Sequence, residues 1–159
     1  MRKITSRSEC PISFALDIFG DKWSLLIIRD LMFKGKNTYG DFRSSDEKIA
    51  TNILADRLAL LEQAGVITKK AHPGSKAKYF YKLTRKGIDL MPILMEIIVW
   101  SNKYDDFSEE VKNFAQKVKK DRKLLAKTVL AKLSCYFKPP PFFGDKLFFI
   151  FYLLIGIQT

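Results

Sequence analysis

The stretch IATNILADRLALLEQAG, residues 49–65, predicts an amphipathic helix. Its apolar side chains recur at the spacing of one face of a 3.6-residue helix, which is the main sequence signal for this element. The apolar positions are Ile53 or Leu54, then Leu58, Leu61 and Ala64. The opposite face carries Thr51, Asn52, Ala55, Asp56, Ala59 and Gln63. Gly65 is expected to end the helix, because glycine adopts the left-handed conformation without steric cost.

The segments on either side of this helix predict a winged helix. Residues 38–44, TYGDFRS, form a shorter helical segment, and the link to the longer helix allows only a tight turn. Two helices joined in this way are typical of a helix-turn-helix. Residues 66–84 place strand-forming residues around the turn cluster HPGSK, which predicts a β-hairpin. In such a fold the polar face of the second helix enters the major groove of DNA. A core helix followed by an unrelated hairpin is the alternative.

Positive charge is concentrated in the predicted hairpin and in the last third of the chain. The 159 residues carry a net charge of +11, with 47% apolar and 28% charged residues, which is a globular composition. Residues 1–110 contribute +3 and residues 111–159 contribute +8. Residues 66–87 contain no acidic residue; their cations are Lys69, Lys70, Lys76, Lys78, Lys82, Arg85 and Lys86. Clustered cations favour DNA, since counterions released from its phosphates supply free energy. A solvated hairpin face, which usually mixes both signs, is the alternative.

Residues that could carry catalysis or bind a metal are sparse. The sequence has two cysteines, Cys10 and Cys135, and one histidine, His72. So few cysteines exclude a disulfide framework and favour a reducing, cytoplasmic location. The sequence has no Cys/His cluster with zinc spacing, no glycine-rich nucleotide loop and no evident nucleophile–base pair. We therefore expect no enzymatic activity, no cofactor and no metal. His72 is interpreted as a turn residue whose ring could touch a phosphate or a minor groove.

The first and last helices of the predicted domain suggest a dimer. Residues 11–19 predict a helix opened by Pro11, and residues 21–32 predict a second helix that is buried on most sides. After the hairpin, Thr84 is the predicted N-cap of one long helix, in which Pro92 either causes a kink or lies in the first turns. The apolar stripe of this helix is wider than one small domain can cover. We expect a two-fold partner to pack on it and on the first helix, and burial within the monomer is the alternative.

The end of the chain combines a basic stretch with an apolar one. Residues 111–133 predict one basic amphipathic helix, with eight Lys or Arg against Asp121 alone. Such a helix could extend a dimer, lie on DNA or rest on an anionic membrane. Residues 134–159 are a proline-rich break and an apolar tail, in which the eleven apolar residues 147–157 are too few to span a bilayer. The tail could be a membrane anchor, a segment folded against the dimer, or a sequence without a selected role, and membrane contact is the less favoured interpretation.

Four motifs, together with the hairpin and the late Trp100, occur in one order across residues 8–110. They are CPISFALDIFGDKWSLLIIRDL, TYGDFR, NILADRLALLEQAGVI and YKLTRKGIDLMPIL. In order and spacing they resemble the HxlR-type winged-helix transcriptional regulators. The resemblance implies a mainly α-helical winged helix-turn-helix with a small β-hairpin, which dimerises through its N- and C-terminal helices. It implies a bacterial regulator, expected to be a repressor, that reads a pseudo-palindromic operator as a homodimer. The domain boundaries follow: residues 1–110 bind DNA and dimerise, 111–133 form a helical extension, and 134–159 are the tail.

The resemblance also assigns roles to single residues. Thr51, Asn52 and Ala55 fall where the family's recognition helix faces the groove, and the Asn52 amide can pair with adenine in both directions. Arg57 matches a family arginine and is assigned to phosphate, with an intramolecular pair to Glu62 or Asp56 as the alternative. The other expected phosphate or wing contacts are Lys22, Arg43, Lys48, His72, Lys76 and Lys78. Lys76–Ala77 replaces the Pro–Pro pair usual at the family's hairpin tip, which implies a more mobile and more cationic tip.

Cys10 matches the N-terminal cysteine that senses electrophiles or disulfide stress in some members of this family. A sensor thiolate is favoured by nearby positive charge or by a helix N-terminus, and Cys10 directly precedes Pro11 at a predicted helix start. A semi-buried structural thiol is the alternative. The partners implied are double-stranded DNA, a second copy of the chain, and a small electrophile or oxidant. The rival function is an interaction protein held at a membrane surface by the basic helix and the apolar tail.

Overall fold

The computed structural model describes residues 8–72 and 75–137, without the side chains of residues 75–77 and 134–137. Within this part of the chain, eight helices and two strands follow one another. They are α1 (Pro11–Phe19), α2 (Ser24–Phe33), α3 (Tyr39–Arg43), α4 (Thr51–Gln63), β1 (Ile67–His72), β2 (Ser75–Leu83), α5 (Arg85–Ile88), α6 (Met91–Tyr104), α7 (Glu109–Lys120) and α8 (Arg122–Phe137).

Helices α2, α3 and α4 enclose the centre of the hydrophobic core. Ile28 of α2 and Leu54 and Leu61 of α4 are fully buried, and Phe42 of α3 is 1% exposed. The predicted helix over residues 49–65 is therefore present, two residues shorter at each end, and its predicted apolar face is the buried one. Gly65 follows with a φ of +68°, as expected of a residue that ends a helix.

The two strands form the antiparallel hairpin that the sequence predicts. Ile67 pairs with Leu83 and Ala71 with Tyr79, and the register shifts at His72. Thr38, just before α3, forms a bridge with Phe80. The Tyr81 N–H also donates to the Asn37 carbonyl at 2.7 Å. These two contacts attach the hairpin to the helix-turn-helix. A helix-turn-helix followed by an attached hairpin is a winged helix.

The chain after the hairpin forms two helices where the sequence predicted one. Thr84 caps only the four-residue α5, by accepting a hydrogen bond from the Gly87 N–H at 3.2 Å. Pro92 lies in the first turn of α6, where its missing N–H costs no hydrogen bond. The prediction that Pro92 lies in the first turns of a helix is therefore correct, and the prediction of one continuous helix after the hairpin is wrong.

Residues 111–133 were also predicted as one helix, and this is wrong in the same way. Asp121 separates α7 from α8 with an extended φ of −148°, and its carboxylate accepts the Leu124 N–H at 2.8 Å. Several apolar side chains of the two helices face the domain itself: Val118 is fully buried and Val129 is 7% exposed in the same core as α2 and α6. Val111, Leu124 and Leu130 of the same helices are exposed. None of the helices in the described ranges is long and apolar enough to cross a membrane.

Two predictions fall outside the described residues. They concern the tip of the hairpin at residues 73–74 and the apolar tail after residue 137.

Candidate nucleic-acid interface

The first turns of α4 expose the side chains that were predicted to read DNA bases. Thr51, Asn52 and Ala55 are all exposed, whereas Leu54 and Leu58 between and after them are buried. This separation follows from the helical period, since residues three and four apart share a face. An exposed amide and hydroxyl at the start of a helix can approach base edges, as in other recognition helices.

The turn between α3 and α4 is held by hydrogen bonds from its own residues. Thr38 and Asp41 form a capping box at the start of α3, with the Asp41 N–H donating to the Thr38 hydroxyl at 3.2 Å. The Tyr39 hydroxyl donates to the Thr51 carbonyl at 2.8 Å, which connects α3 directly to the first residue of α4. Burial alone would raise the pKa of Asp41, but the hydrogen bonds from Thr38 and Asn37 outweigh it and lower that pKa. Helix α4 is therefore held to α3 at its first residue.

A buried carboxylate connects α2 to the same turn. Asp30 is 2% exposed, and its two oxygens accept the Arg29 guanidinium at 2.6 Å and the Ser45 hydroxyl at 2.6 Å. Arg29 also binds Glu47, at 2.5 Å, and Lys36 donates to Ser45 at 2.7 Å. A buried charge is tolerated only when it is paired and hydrogen-bonded in this way. This network joins α2 to residues 45–47, immediately before α4.

Lys48 has an unusual backbone in this turn. Its φ of +49° is in the left-handed region, and it is the one non-glycine residue in the described ranges with a positive φ. Lysine pays a steric cost there, although the Lys48 N–H donates to the Ser45 carbonyl at 3.0 Å. The strain places an exposed cation close to the first residue of α4.

Arg57 is engaged within the protein. Its guanidinium binds Asp21 at 3.1 Å and also contacts Asp56, so the predicted alternative of an Asp56 pair is present. Asp21 in turn lies just before α2 and accepts the Trp23 N–H at 2.8 Å and the Ser24 hydroxyl at 2.6 Å. Burial raises the pKa of Asp21, but the bonds from Ser24, Trp23 and Arg57 outweigh it and the net shift is downward. Arg57 thus ties the recognition helix to α2.

The hairpin presents cations and aromatic rings on its surface. Lys78 is exposed, and the Lys69 ammonium lies 4.0 Å from the centre of the Tyr79 ring. His72 packs against Phe80 with ring centroids 4.6 Å apart, so it is a packed residue at the end of β1. The side chain of Lys76 lies outside the part of the chain that the structure describes. Among the other predicted phosphate contacts, Arg43 is exposed, and Lys22 is exposed with its ammonium 4.8 Å from the centre of the Trp23 ring.

Cys10 is the exposed N-cap of α1. Its own N–H donates to the Ser8 hydroxyl at 3.3 Å, and its side chain makes no capping bond. Within the described chain the thiol is free and exposed.

Two helices expose large apolar side chains. On α1, Ile12 is 70% exposed and Leu16 is 53% exposed. On α6, Trp100 and Tyr104 stack with centroids 5.3 Å apart and are each more than 60% exposed. Ile93 and Ile97 of α6 are also exposed. Apolar patches of this kind usually mark an interaction site.

A small cavity lies beside the turn between α3 and α4. Its volume is about 20 Å³, the space of one water molecule, and it is lined by Trp23, Asp30, Phe42, Ser45 and Glu47. No group of three or more His, Cys, Asp or Glu residues in the described ranges is arranged to hold a metal ion.

Three features of this interface were not predicted from the sequence: the strained Lys48, the Asp30 network and the Asp21–Arg57 pair. Asp21 had a usable signal only for its bonds to Ser24, since a carboxylate three residues before a helical residue can accept its N–H, and its pairing with Arg57 had none. The other two depend on residues brought together by the fold.

Comparison with known proteins agrees with this architecture. A family model described as HxlR-like helix-turn-helix matches residues 18–109, more than half of the chain. The uncharacterized HTH-type transcriptional regulator YdeP of Bacillus subtilis (strain 168) is 34% identical over 97 residues, which are 61% of this chain and 75% of that protein. The crystal structure of the putative transcription factor PA1607 matches with a TM-score of 0.58 and 38% identity, over 65% of this chain and 71% of that one. The redox regulator HypR in its oxidized form matches with a TM-score of 0.55 and 29% identity, over 62% of this chain and 100% of that one. The chain therefore belongs to the HxlR-like helix-turn-helix family of DNA-binding transcriptional regulators, which are not enzymes.

Proposed function

We propose that this regulator is a repressor that binds a pseudo-palindromic operator as a homodimer. The observation that carries the proposal is the start of α4, where Thr51, Asn52 and Ala55 are exposed together. Asn52 is the proposed base reader, because an amide can donate to and accept from one adenine. Lys48, Arg43, Lys22 and the hairpin cations supply the proposed phosphate contacts. Arg57 is proposed to orient α4 through Asp21, since its guanidinium is already paired.

The proposed dimer uses the exposed apolar side chains of α1 and α6. Ile12 and Leu16 on the first helix, and Ile97, Trp100 and Tyr104 on the second, remain in water in the single chain. Burying them against a second copy would remove that apolar surface from solvent, at about 25 cal/mol for each Å². A two-fold arrangement would also present two recognition helices one helical turn apart on DNA.

We propose further that an oxidant or electrophile regulates this dimer through Cys10. The thiol is exposed at the first turn of α1, the helix that is proposed to pack on the partner. Modification there would add bulk or charge beside the proposed dimer contact and change how the two recognition helices are spaced. The similarity to the redox regulator HypR supports this interpretation.

Binding of the intact chain to DNA upstream of its own gene tests base reading. Asn52→Ala should weaken binding to the preferred sequence by about 1–3 kcal/mol and leave binding to random DNA unchanged. Gln63→Ala is the matched control, because Gln63 is exposed at the other end of the same helix. Equal losses on preferred and random DNA would show that Asn52 does not read a base.

Sedimentation and transcription assays test the rest of the proposal. The intact chain should sediment as a dimer, and Trp100→Asp should shift it towards monomer without unfolding it. Transcription from a template with the bound site should fall when the protein is added, and recover on oxidation unless Cys10→Ser is present. A monomeric wild type would overturn the dimer, increased transcription would overturn repression, and an unchanged oxidant response in Cys10→Ser would overturn the sensor.

A further inference from the structure

Helices α7 and α8, here called the basic lobe, lie beyond residue 109, where the match to the family model ends. They pack on the winged helix as part of the same core. Val118 of α7 and Val129 of α8 belong to the buried cluster, and Phe114 meets Phe33 of α2 edge-to-face with centroids 6.0 Å apart. Arg122 also forms an ion pair with Glu96 of α6. The lobe is therefore held in a fixed position relative to the recognition helix.

The outer surface of the basic lobe is strongly cationic. Its six exposed lysines are Lys117, Lys119, Lys120, Lys123, Lys127 and Lys132. None of the six forms an ion pair with any other residue in the described ranges. The other two cations of the lobe are engaged, Lys112 with Asp106 and Glu109, and Arg122 with Glu96. A folded surface with this many unpaired cations attracts a polyanion.

Contacts of α2 place the lobe beside the proposed DNA surface. Phe33, which packs on α7, is the last residue of α2. The segment that follows it touches both parts of that surface: Lys34 binds Asp46 in the helix-turn-helix turn at 3.7 Å, and the Asn37 carbonyl accepts the Tyr81 N–H of the hairpin at 2.7 Å. The lobe thus lies next to residues 34–37, which contact both the helix-turn-helix turn and the hairpin. Connections of this kind lie close to the DNA backbone in related folds.

We propose that the basic lobe binds the phosphate backbone of the duplex outside the operator half-sites. The inference rests on the proposed operator binding. Part of the apolar surface of the lobe, including Val118 and Val129, is already covered, although Leu124 and Leu130 are exposed. An amphipathic helix binds a membrane by inserting its apolar face, so the covered side chains favour DNA over a membrane as the partner. Phosphate contacts alone carry no base information. The lobe consequently adds affinity and salt dependence without adding sequence preference.

The preferred sequence is first selected from a random pool of duplexes by binding to the intact chain. The test then compares binding of the intact chain to two duplexes that contain this sequence. One duplex holds only the selected core of about 20 base pairs, and the other adds about one helical turn of arbitrary sequence on each side. The variant combines Lys119→Gln, Lys120→Gln, Lys123→Gln and Lys127→Gln, which keeps helix propensity while removing charge. The matched control replaces the same four lysines with arginine, and a second control is Gln116→Ala, a change of an exposed uncharged residue on α7.

On the flanked duplex the glutamine variant should bind at least about 10-fold more weakly at low salt, with a salt slope that is shallower by about 0.9 for each phosphate that it no longer neutralises. On the core duplex it should bind like the wild type, and both controls should match the wild type on either duplex. Equal binding of the glutamine variant to the flanked duplex would overturn the inference while the operator proposal stands. If selection enriches no sequence, the operator proposal fails, and the same comparison on random long and short duplexes decides the lobe alone.

A membrane role is the other outcome that the experiment can show. The intact chain and its variants are mixed with phosphatidylcholine vesicles, with and without phosphatidylserine. Charge-dependent binding to the anionic vesicles, combined with unchanged DNA binding by the glutamine variant, would overturn the inference in favour of a membrane surface. We expect no vesicle binding that competes with DNA at physiological salt.

Discussion

Lys48 combines a strained backbone with a charge next to the recognition helix. A left-handed lysine costs about 1–2 kcal/mol, and a glycine relieves it while adding about 0.5–1 kcal/mol of unfolded-state entropy. Lys48→Gly should therefore leave the free energy of unfolding unchanged or raise it by up to about 1.5 kcal/mol. It should also weaken DNA binding and reduce the salt slope by about 0.9. Urea unfolding and salt-dependent DNA binding measure the two effects.

Lys48→Asn separates charge from strain, because asparagine tolerates the left-handed region better than lysine does and carries no charge. It should lose DNA affinity as the glycine variant does, whereas Lys48→Arg should keep it. A Lys48→Gly protein that unfolds more easily but binds DNA normally would show that the cation has no role at the phosphate.

Glu47 makes the turn sensitive to acid. The hydrogen bond from Arg29 lowers the pKa of Glu47 from 4.5 to about 2, against a smaller opposing effect of burial. A lowered pKa stabilises the fold above pH 4.5 and loses that contribution as the pH falls towards 2. Because the pair is partly exposed, solvent screening reduces the effect to about 1 kcal/mol. Wild type should lose that much more stability than Glu47→Gln between about pH 5 and pH 2 in urea unfolding. Parallel pH curves for the two proteins would rule out this role of Glu47.

At the scale of elements, α5 is fitted closely against the hairpin through Gly87. A Cβ atom there would lie 2.3 Å from the Val66 carbonyl oxygen and 2.9 Å from the Leu83 side chain. Gly87→Ala should force α5 and β2 apart and lower the free energy of unfolding by about 1–3 kcal/mol. Gly40→Ala in α3 is the matched control, since its nearest neighbour is the Thr38 hydroxyl at 3.8 Å.

The control should gain stability rather than lose it, because alanine in a helix is favoured over glycine by about 0.8–1.0 kcal/mol. Thermal unfolding measures whether each of the two variants is more or less stable than the wild type. A Gly87→Ala protein as stable as the wild type would show that the hairpin can move away from α5 without lowering the free energy of unfolding.

Elements with a clear period were predictable from the sequence, and breaks set by single residues were not. The period of residues 49–65 identified α4 with its buried and exposed faces, and the turn cluster at residues 72–76 located the hairpin. The helix boundaries at Asp89 and Asp121 were missed, because apolar spacing continues across each break. At Asp121 a carboxylate caps the next helix within an otherwise helical charge pattern. At Asp89 the α5 turn ends before Pro92 begins α6.

The residues of the candidate site likewise include some that the sequence predicts and some that it does not. Exposure of Thr51, Asn52 and Ala55 follows from helical period alone, so the sequence located them correctly on the polar face. The pair between Arg57 and Asp21 joins residues 36 positions apart, and no local pattern reports such a contact. The left-handed Lys48 gave no signal either, since glycine or asparagine is the residue expected at a positive φ.

At the scale of the whole molecule, the winged helix and the basic lobe share one core. Val118 is fully buried among residues of α2 and α6, although it lies beyond the family region. The described chain should therefore unfold in one transition, with the lobe stabilising the part that contains the recognition helix. The positive charge of residues 111–159 is then displayed by a folded surface, at least as far as α8 extends.

Val118→Ala tests this coupling. Removing two buried carbon atoms and leaving a cavity should lower the free energy of unfolding by about 2 kcal/mol. Val111→Ala in the same helix is the matched control, since Val111 is 40% exposed and should change stability by less than about 0.5 kcal/mol. Both changes alter helix propensity equally, so the difference between them reports packing alone. The measurement is urea unfolding followed through Trp23, which lies in the winged helix, in a Trp100→Phe background that leaves Trp23 as the one tryptophan. If the lobe shares the core, the Trp23 transition shifts to lower urea in Val118→Ala. If the lobe folded separately, that transition would stay in place while helical content was lost in an earlier step.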